Sequence, residues 1–80
     1  MSVRTATRIG SGGGPLEVYL YYKTDANFLV RLGGATVRSG QTRTLTARVT
    51  EGMQLYVQVK GSPIAPGLMA QGTYALDFSL

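Results

Sequence analysis

The side chains of this chain best suited to recognition chemistry are tyrosines and arginines. Tyr19 and Tyr21 stand two apart in LEVYLYYK, and Tyr56 stands in QLYVQVK. All three alternate with apolar residues, which places them on the outer faces of extended segments. Arg4, Arg8, Arg31, Arg38 and Arg48 fall in neighbouring segments and can approach them. Aromatic rings flanked by arginines hold single-stranded nucleic acid by base stacking and phosphate neutralisation. The same residue types are enriched at the centres of protein interfaces. A plainer role is packing beneath a neighbouring strand or loop, because tyrosine suits pleated, half-buried surfaces. The expected interface set is Tyr19, Tyr21, Tyr56, Arg31, Arg38 and Arg48.

Catalytic and metal chemistry find little material. The chain has no histidine, which removes the commonest general base and metal ligand, and no cysteine, which removes thiolate chemistry and disulfides. Its four carboxylates are Glu17, Asp25, Glu51 and Asp77. Asp25 and Glu51 fall in turns, Asp77 on an outer strand face and Glu17 near a strand start, so nothing makes two of them converge as acid–base work requires. Ser11, Ser39, Ser62 and Ser79 have no imidazole to activate them. Asp25 with Asn27 is a fragment of a hard-cation site, and an Asx-type turn accounts for that pair. The GSGGGP stretch at 10–15 lacks the Lys-Ser/Thr and following helix of a phosphate-cradling loop, and reads as a connector. No catalytic residue, metal ligand or cofactor is expected.

The elements that must position the tyrosines are short strands. SVRTATRI (2–9) alternates Val3, Thr5, Thr7 and Ile9 against Arg4, Ala6 and Arg8. LEVYLYYK (16–23) turns Leu16, Val18, Leu20 and Tyr22 inward. FLVRL (28–32) and ATVR (35–38) flank Gly33-Gly34, a dipeptide suited to a primed two-residue hairpin turn. The run QTRTLTARVTEGMQLYVQVK (41–60) is the organising stretch. A three-residue loop, Thr50-Glu51-Gly52, sets Val49 opposite Met53, Ala47 opposite Leu55 and Leu45 opposite Val57, so that directly opposed residues share a face. Such a loop needs a left-handed residue, which Gly52 supplies. Gly33, Gly34 and Gly52 are thus the expected turn-critical glycines. Residues 61–72, with two prolines and three glycines, read as a long apolar loop whose Ile64, Leu68 and Met69 cap one end of the core. TYALDFSL (73–80) closes the chain with Tyr74, Leu76, Phe78 and Leu80 inward.

Six or seven such strands with no helical period predict one all-β domain over 1–80, a small antiparallel β-sandwich or closed barrel. LYVQV and GTYALDFSL resemble the closing strands of bacterial secreted pre-peptidase C-terminal sandwich domains, but the aspartate-containing strand that marks those domains is not evident. An 80-residue domain is only modestly stable alone.

Composition favours contact over chemistry. The net charge of +4 suits anionic partners, yet only 15% of residues are charged and arginine outnumbers lysine six to two. Fewer charges are present than edge-strand proteins ordinarily use to stay apart. Residues 1–15 hold no continuous apolar core of a secretory signal, and no stretch reaches the roughly 20 apolar residues of a membrane-spanning helix. These features lead to the expectation of a non-catalytic structural subunit of a larger assembly, such as a phage virion decoration or tail accessory protein. Its partners would be copies of itself or capsid and tail proteins, without a membrane, and its place the virion or the cytoplasm. The alternative is a basic nucleic-acid-binding β-domain, or an inhibitor of a protein that handles nucleic acid. A carbohydrate-binding module ranks third, because tyrosines can stack on sugars but tryptophan is absent.

Overall fold

The computed structural model describes residues 2–10, 13–50 and 52–79, and of Ala65 only the backbone. Its strands are β1 (Ser2–Ile9), β2 (Leu16–Lys23), β3 (Leu29–Val37), β4 (Thr42–Arg48), β5 (Gln54–Gly61), β6 (Pro63–Ala65), β7 (Leu68–Met69) and β8 (Tyr74–Ser79), with no helix among the described residues. Glu51 and Leu80, expected in a turn and on the inner face, lie outside the described residues, as does Ser11.

Alternation does most of the building. In β1 the odd positions Val3, Thr5, Thr7 and Ile9 are buried, and in β2 Leu16, Val18 and Leu20 are buried. Pairing is antiparallel throughout, giving two three-stranded sheets of order β4-β1-β8 and β3-β2-β5, with β6-β7 as a separate two-stranded piece. The two larger sheets share one core. Ile9 of the first packs with Leu16, Val18 and Val37 of the second, and Val3 packs with Leu20 and Val49. Each such buried side chain contributes roughly 1.5–3 kcal/mol. The expected small antiparallel all-β domain is therefore the fold, as two facing sheets rather than a closed barrel and with eight strands instead of six or seven.

The organising run 41–60 is not a hairpin. β4 pairs with β1, and β5 pairs with β2, so the chain crosses from one sheet to the other between them. The turn itself has the expected form: Gly52 is left-handed (φ 88°), and the Met53 N–H donates to the Thr50 carbonyl at 3.2 Å. Leu45, Ala47 and Val49 still meet Met53, Leu55 and Val57, but within a core cluster between the sheets rather than along one ladder. Crossing buries the two inner faces against each other, whereas a hairpin would leave both in one layer that still needed a cover.

Gly33-Gly34 is not a turn either. β3 runs through both glycines, with Leu20 opposite Gly33 and Tyr21 opposite Arg31, so Leu32 is an extra residue at a bulge. Neither glycine is left-handed, which a primed turn would require. The reversal from β2 to β3 lies earlier. There the Thr24 N–H donates to the Phe28 carbonyl (2.8 Å), the Asn27 N–H donates to the Thr24 carbonyl (3.0 Å), and Asn27 takes φ 66°. The expected Ser39-Gly40 turn is present, closed by the Gln41 N–H on the Arg38 carbonyl at 2.9 Å.

Two further expectations are corrected. Ile64, Leu68 and Met69 do not cap the core; they belong to the β6–β7 hairpin and are 48–60% exposed. Tyr74, Leu76 and Phe78 share a face with the buried Ile9, Thr7 and Thr5 opposite them on β1, yet remain 39–52% exposed. Their side of the sheet is inner, but the β3-β2-β5 sheet does not cover it.

Candidate interaction surface

The outer face of the β3-β2-β5 sheet gathers the tyrosines. On the central strand β2 the outward residues are Glu17, Tyr19, Tyr21 and Lys23. Cross-strand pairing sets Tyr21 between Arg31 and Tyr56, Tyr19 between Gly34 and Gln58, and Glu17 between Thr36 and Lys60. Gly34 is what lets Tyr19 lie down. A Cβ at position 34 would stand 2.6 Å from Tyr19 Cδ1, a distance no real side chain tolerates, so the ring occupies the room that the glycine leaves.

Arg31 closes over the top. Its Cζ is 4.1 Å from the Tyr19 ring centroid and 5.8 Å from that of Tyr21, and Nη2 donates to the Tyr21 hydroxyl at 3.4 Å. The Lys60 ammonium sits 5.4 Å from the Tyr19 centroid. A cation over an exposed tyrosine contributes ~0.5–1 kcal/mol, which favours this position of the guanidinium. The Tyr19 and Tyr21 rings are 6.3 Å apart and tilted by 53°.

Hydrogen bonds finish the patch. The Tyr19 hydroxyl donates to Glu17 Oε1, the Tyr21 hydroxyl to Gln58 Oε1 at 3.4 Å, and the Tyr56 hydroxyl to Gln54 Oε1 at 3.4 Å. The bond from Tyr19 holds the Glu17 carboxyl below the ordinary carboxylate range, with Lys60 adding to the effect. The same bond pushes the Tyr19 phenol above the ordinary tyrosine value. The bond from Arg31 to Tyr21 raises the guanidinium further, so Arg31 stays charged at any working pH. Beside the patch lies an open groove of about 630 Å³, lined by Tyr21, Lys23, Asn27, Leu29, Tyr56 and Gln58.

The structure thus brings together four of the six expected interface residues: Tyr19, Tyr21, Tyr56 and Arg31. Arg38 lies in the β3–β4 turn, beyond the strand end, where its N–H donates to Gln41 Oε1 at 3.0 Å. Arg48 lies opposite Ser2 at the end of β4, on the outer face of the other sheet with Arg4 and Arg8. Lys60, Gln58, Gln54 and Glu17 were not anticipated as members. The outward parity of β5 carried the signal, but pairing β5 with β4 hid its adjacency to β2.

The chemistry available is that of a flat, amphipathic contact surface. Among the described residues no group of three or more His, Cys, Asp or Glu is placed to hold a metal ion, and the one serine set against a carboxylate is Ser62, whose hydrogen bond helps to lower the Glu17 carboxyl. The Tyr19 ring, covered by Arg31 and approached by Lys60, is less open to stacking than Tyr56, which is 44% exposed. The fold and surface define an all-β two-sheet domain with a preassembled tyrosine–arginine patch on one outer face. No protein-family model matches the chain, and neither the curated proteins nor the solved structures return a match.

Proposed function

We propose that this chain is a non-catalytic interaction protein, a small structural subunit of a larger assembly such as a phage virion decoration or tail accessory component. The observation that carries this reading is the Tyr19–Arg31–Tyr21 arrangement. Tyrosine and arginine dominate the energetics of protein interfaces, and here both are fixed before any partner arrives, which lowers the ordering penalty of association. Tyr56 and the groove beside it extend the patch, and glutamines 54 and 58 supply amide groups around it. Low charge density favours the same reading.

The runner-up is a basic nucleic-acid binder. It draws on Arg31, Lys60 and Lys23 standing around the aromatic rings against the single carboxylate Glu17. Weighing against it, the remaining arginines are scattered: Arg38 in a turn, Arg4, Arg8 and Arg48 on the opposite outer face, and Arg43 on the inner side of the β4 edge.

One pair of measurements separates the two. Produced in its own source, the wild-type protein should enter a particle-sized fraction on size exclusion with a protein-like absorbance spectrum, and Arg31→Ala or Tyr21→Ala should fall back to the small fraction. Single-stranded oligonucleotides should bind feebly or not at all by fluorescence anisotropy. Tight oligonucleotide binding that collapses with salt and is lost in Arg31→Glu would replace the assembly reading with the nucleic-acid one.

A further inference from the structure

The geometry points to β8 as a self-pairing edge: a second copy of this chain adds its own β8 antiparallel to the first, with Leu76 opposite its counterpart. This goes beyond the assembly reading and rests on different residues from the tyrosine–arginine patch.

Among the described residues β8 pairs with β1 alone, and no strand lies along its other side. Sheet edges of this kind are ordinarily blunted by lysine, proline, bulges or cover. The other three edges show such devices. β4 carries Arg43 and Arg48, β3 carries a bulge and a glycine pair, and β5 carries Lys60. β8 reads Tyr74-Ala75-Leu76-Asp77-Phe78-Ser79, with no lysine, arginine, proline or bulge and with Asp77 as its single charge. Its inner side adds uncovered apolar surface, since Tyr74 is 52%, Leu76 39% and Phe78 45% exposed. An open cavity of about 710 Å³ lies next to Tyr74, floored by Leu16, Val59 and Ala70.

Charge and parity select the occupant and its register. Directly opposed residues of an antiparallel pair must share a face, so a β8–β8 pair keeps its apolar faces together only when a residue opposes itself or one two away. Centring on Leu76 sets Tyr74 against Phe78 of the second copy, Leu76 against Leu76, and Ala75 against Asp77. The three exposed apolar residues of the inner face then meet one another, and the strand's one charge meets alanine. Shifting the centre to Asp77 would oppose two aspartates directly, which is destabilising. Of the registers that keep the faces together, the one centred on Leu76 pairs Tyr74, Leu76 and Phe78 entirely among themselves. The pair would join the two β4-β1-β8 sheets into one six-stranded sheet with a continuous apolar band on its inner side.

The area sets the strength. Three side chains at these exposures leave roughly 250 Å² uncovered per copy. A standard stable interface buries about 800 Å² per partner, so the contact supports a concentration-dependent dimer rather than an obligate one.

The test uses the absence of cysteine in this chain. In Leu76→Cys the two Cα atoms of the paired strands stand ~4.5–5.5 Å apart, within disulfide reach. Mild oxidation should convert most of this variant to a covalent dimer, at a rate at least tenfold above that of Thr46→Cys, which sits on the outer face of β4. Leu76→Lys, with an unchanged β-type circular dichroism spectrum, should sediment as monomer at concentrations where wild type is dimeric. Tyr21→Ala should leave Leu76→Cys cross-linking unchanged, which keeps this inference separate from the patch. Wild type that stays monomeric at its highest soluble concentration would overturn the proposal. So would Leu76→Cys linking no faster than Thr46→Cys. If Leu76→Lys fails to fold, the cross-linking comparison decides alone.

Discussion

Gly34→Ala tests how the patch is built. The backbone of β3 is laddered to β2 on either side of this position, so an added Cβ, placed 2.6 Å from Tyr19 Cδ1 and 2.8 Å from Cε1, must expel the ring rather than move the strand. Alanine brings a gain of ~0.4–1 kcal/mol by narrowing the unfolded ensemble, since Gly34 is not left-handed. Against it stand the lost cation–ring contact with Arg31, ~0.5–1 kcal/mol. The ring also gives up roughly 50 Å² of buried surface, about 1.3 kcal/mol at 25 cal/mol per Å². The losses win by about 1 kcal/mol, which for a domain of this size lowers Tm by roughly 4–8 °C. The sharper assay is a double-mutant cycle in thermal or urea unfolding. Arg31→Ala should be more destabilising in the wild-type background than in Gly34→Ala, where the contact with Tyr19 is already gone and only those with Tyr21 remain to be lost. Additive effects, or a Tm raised by Gly34→Ala alone, would refute the argument that this glycine exists to seat Tyr19.

Three other outcomes are expected. Thr5 is fully buried with its Oγ1 lacking a hydrogen-bond partner, so Thr5→Val should stabilise the fold by about 1 kcal/mol and raise Tm by several degrees. Gly52→Val meets no steric obstacle within 4 Å but must adopt φ 88°, so it should lose about 1–2 kcal/mol in urea unfolding through backbone strain alone. The Glu17–Tyr19 bond makes stability fall at both pH extremes. The raised Tyr19 phenol contributes stability present below the ordinary tyrosine pKa and lost as pH rises through its folded value. The lowered Glu17 contributes stability present above the ordinary carboxylate pKa and lost as pH falls through its folded value. In Glu17→Ala, spectrophotometric titration should show the Tyr19 transition moving down toward the ordinary tyrosine value.

Much of the fold is legible in the alternation. β1 and β2 fall where their patterns put them, and the inward residues of β4 and β5 do meet in the core. Neighbours are less legible, because parity fixes which face a residue takes and not which strand lies beside it. Val49 and Met53 satisfy the same parity whether their strands pair side by side or face each other across a sandwich. Gly33-Gly34 shows the other ambiguity. Two glycines meet the demands of a primed turn and equally those of a strand crossed closely by an aromatic ring. Only the bulge, and Tyr19 seated over Gly34, decide between them. For the patch, the sequence supplied the residue types and outward parity of Tyr19, Tyr21 and Tyr56. Arg48 looked equivalent to Arg31 because nothing local says that β4 and β3 belong to different sheets.

The thinness of the core bears on why both surfaces belong to one molecule. Eight hydrophobic residues are buried among those described, and two of the most enclosed side chains, Thr5 and Thr7, are polar. A small domain hides a modest share of its surface in any case. This one leaves Tyr74, Leu76 and Phe78 half open along an edge where a closed sandwich would bury them. Its outer face, by contrast, spends a bulge and a glycine on fixing Tyr19 and Arg31, a rigidity that core packing does not require. A chain selected to be stable alone would fill the edge and leave the outer face to mixed lysine and glutamate. The opposite distribution is what association supplies with a use. The proposed contact along β8 would set the apolar residues that the sandwich does not reach beside those of a second copy, and leave the patch on the other sheet free for a second, different contact. If both proposals hold, two unlike faces let one chain meet its own copies and a foreign surface at once.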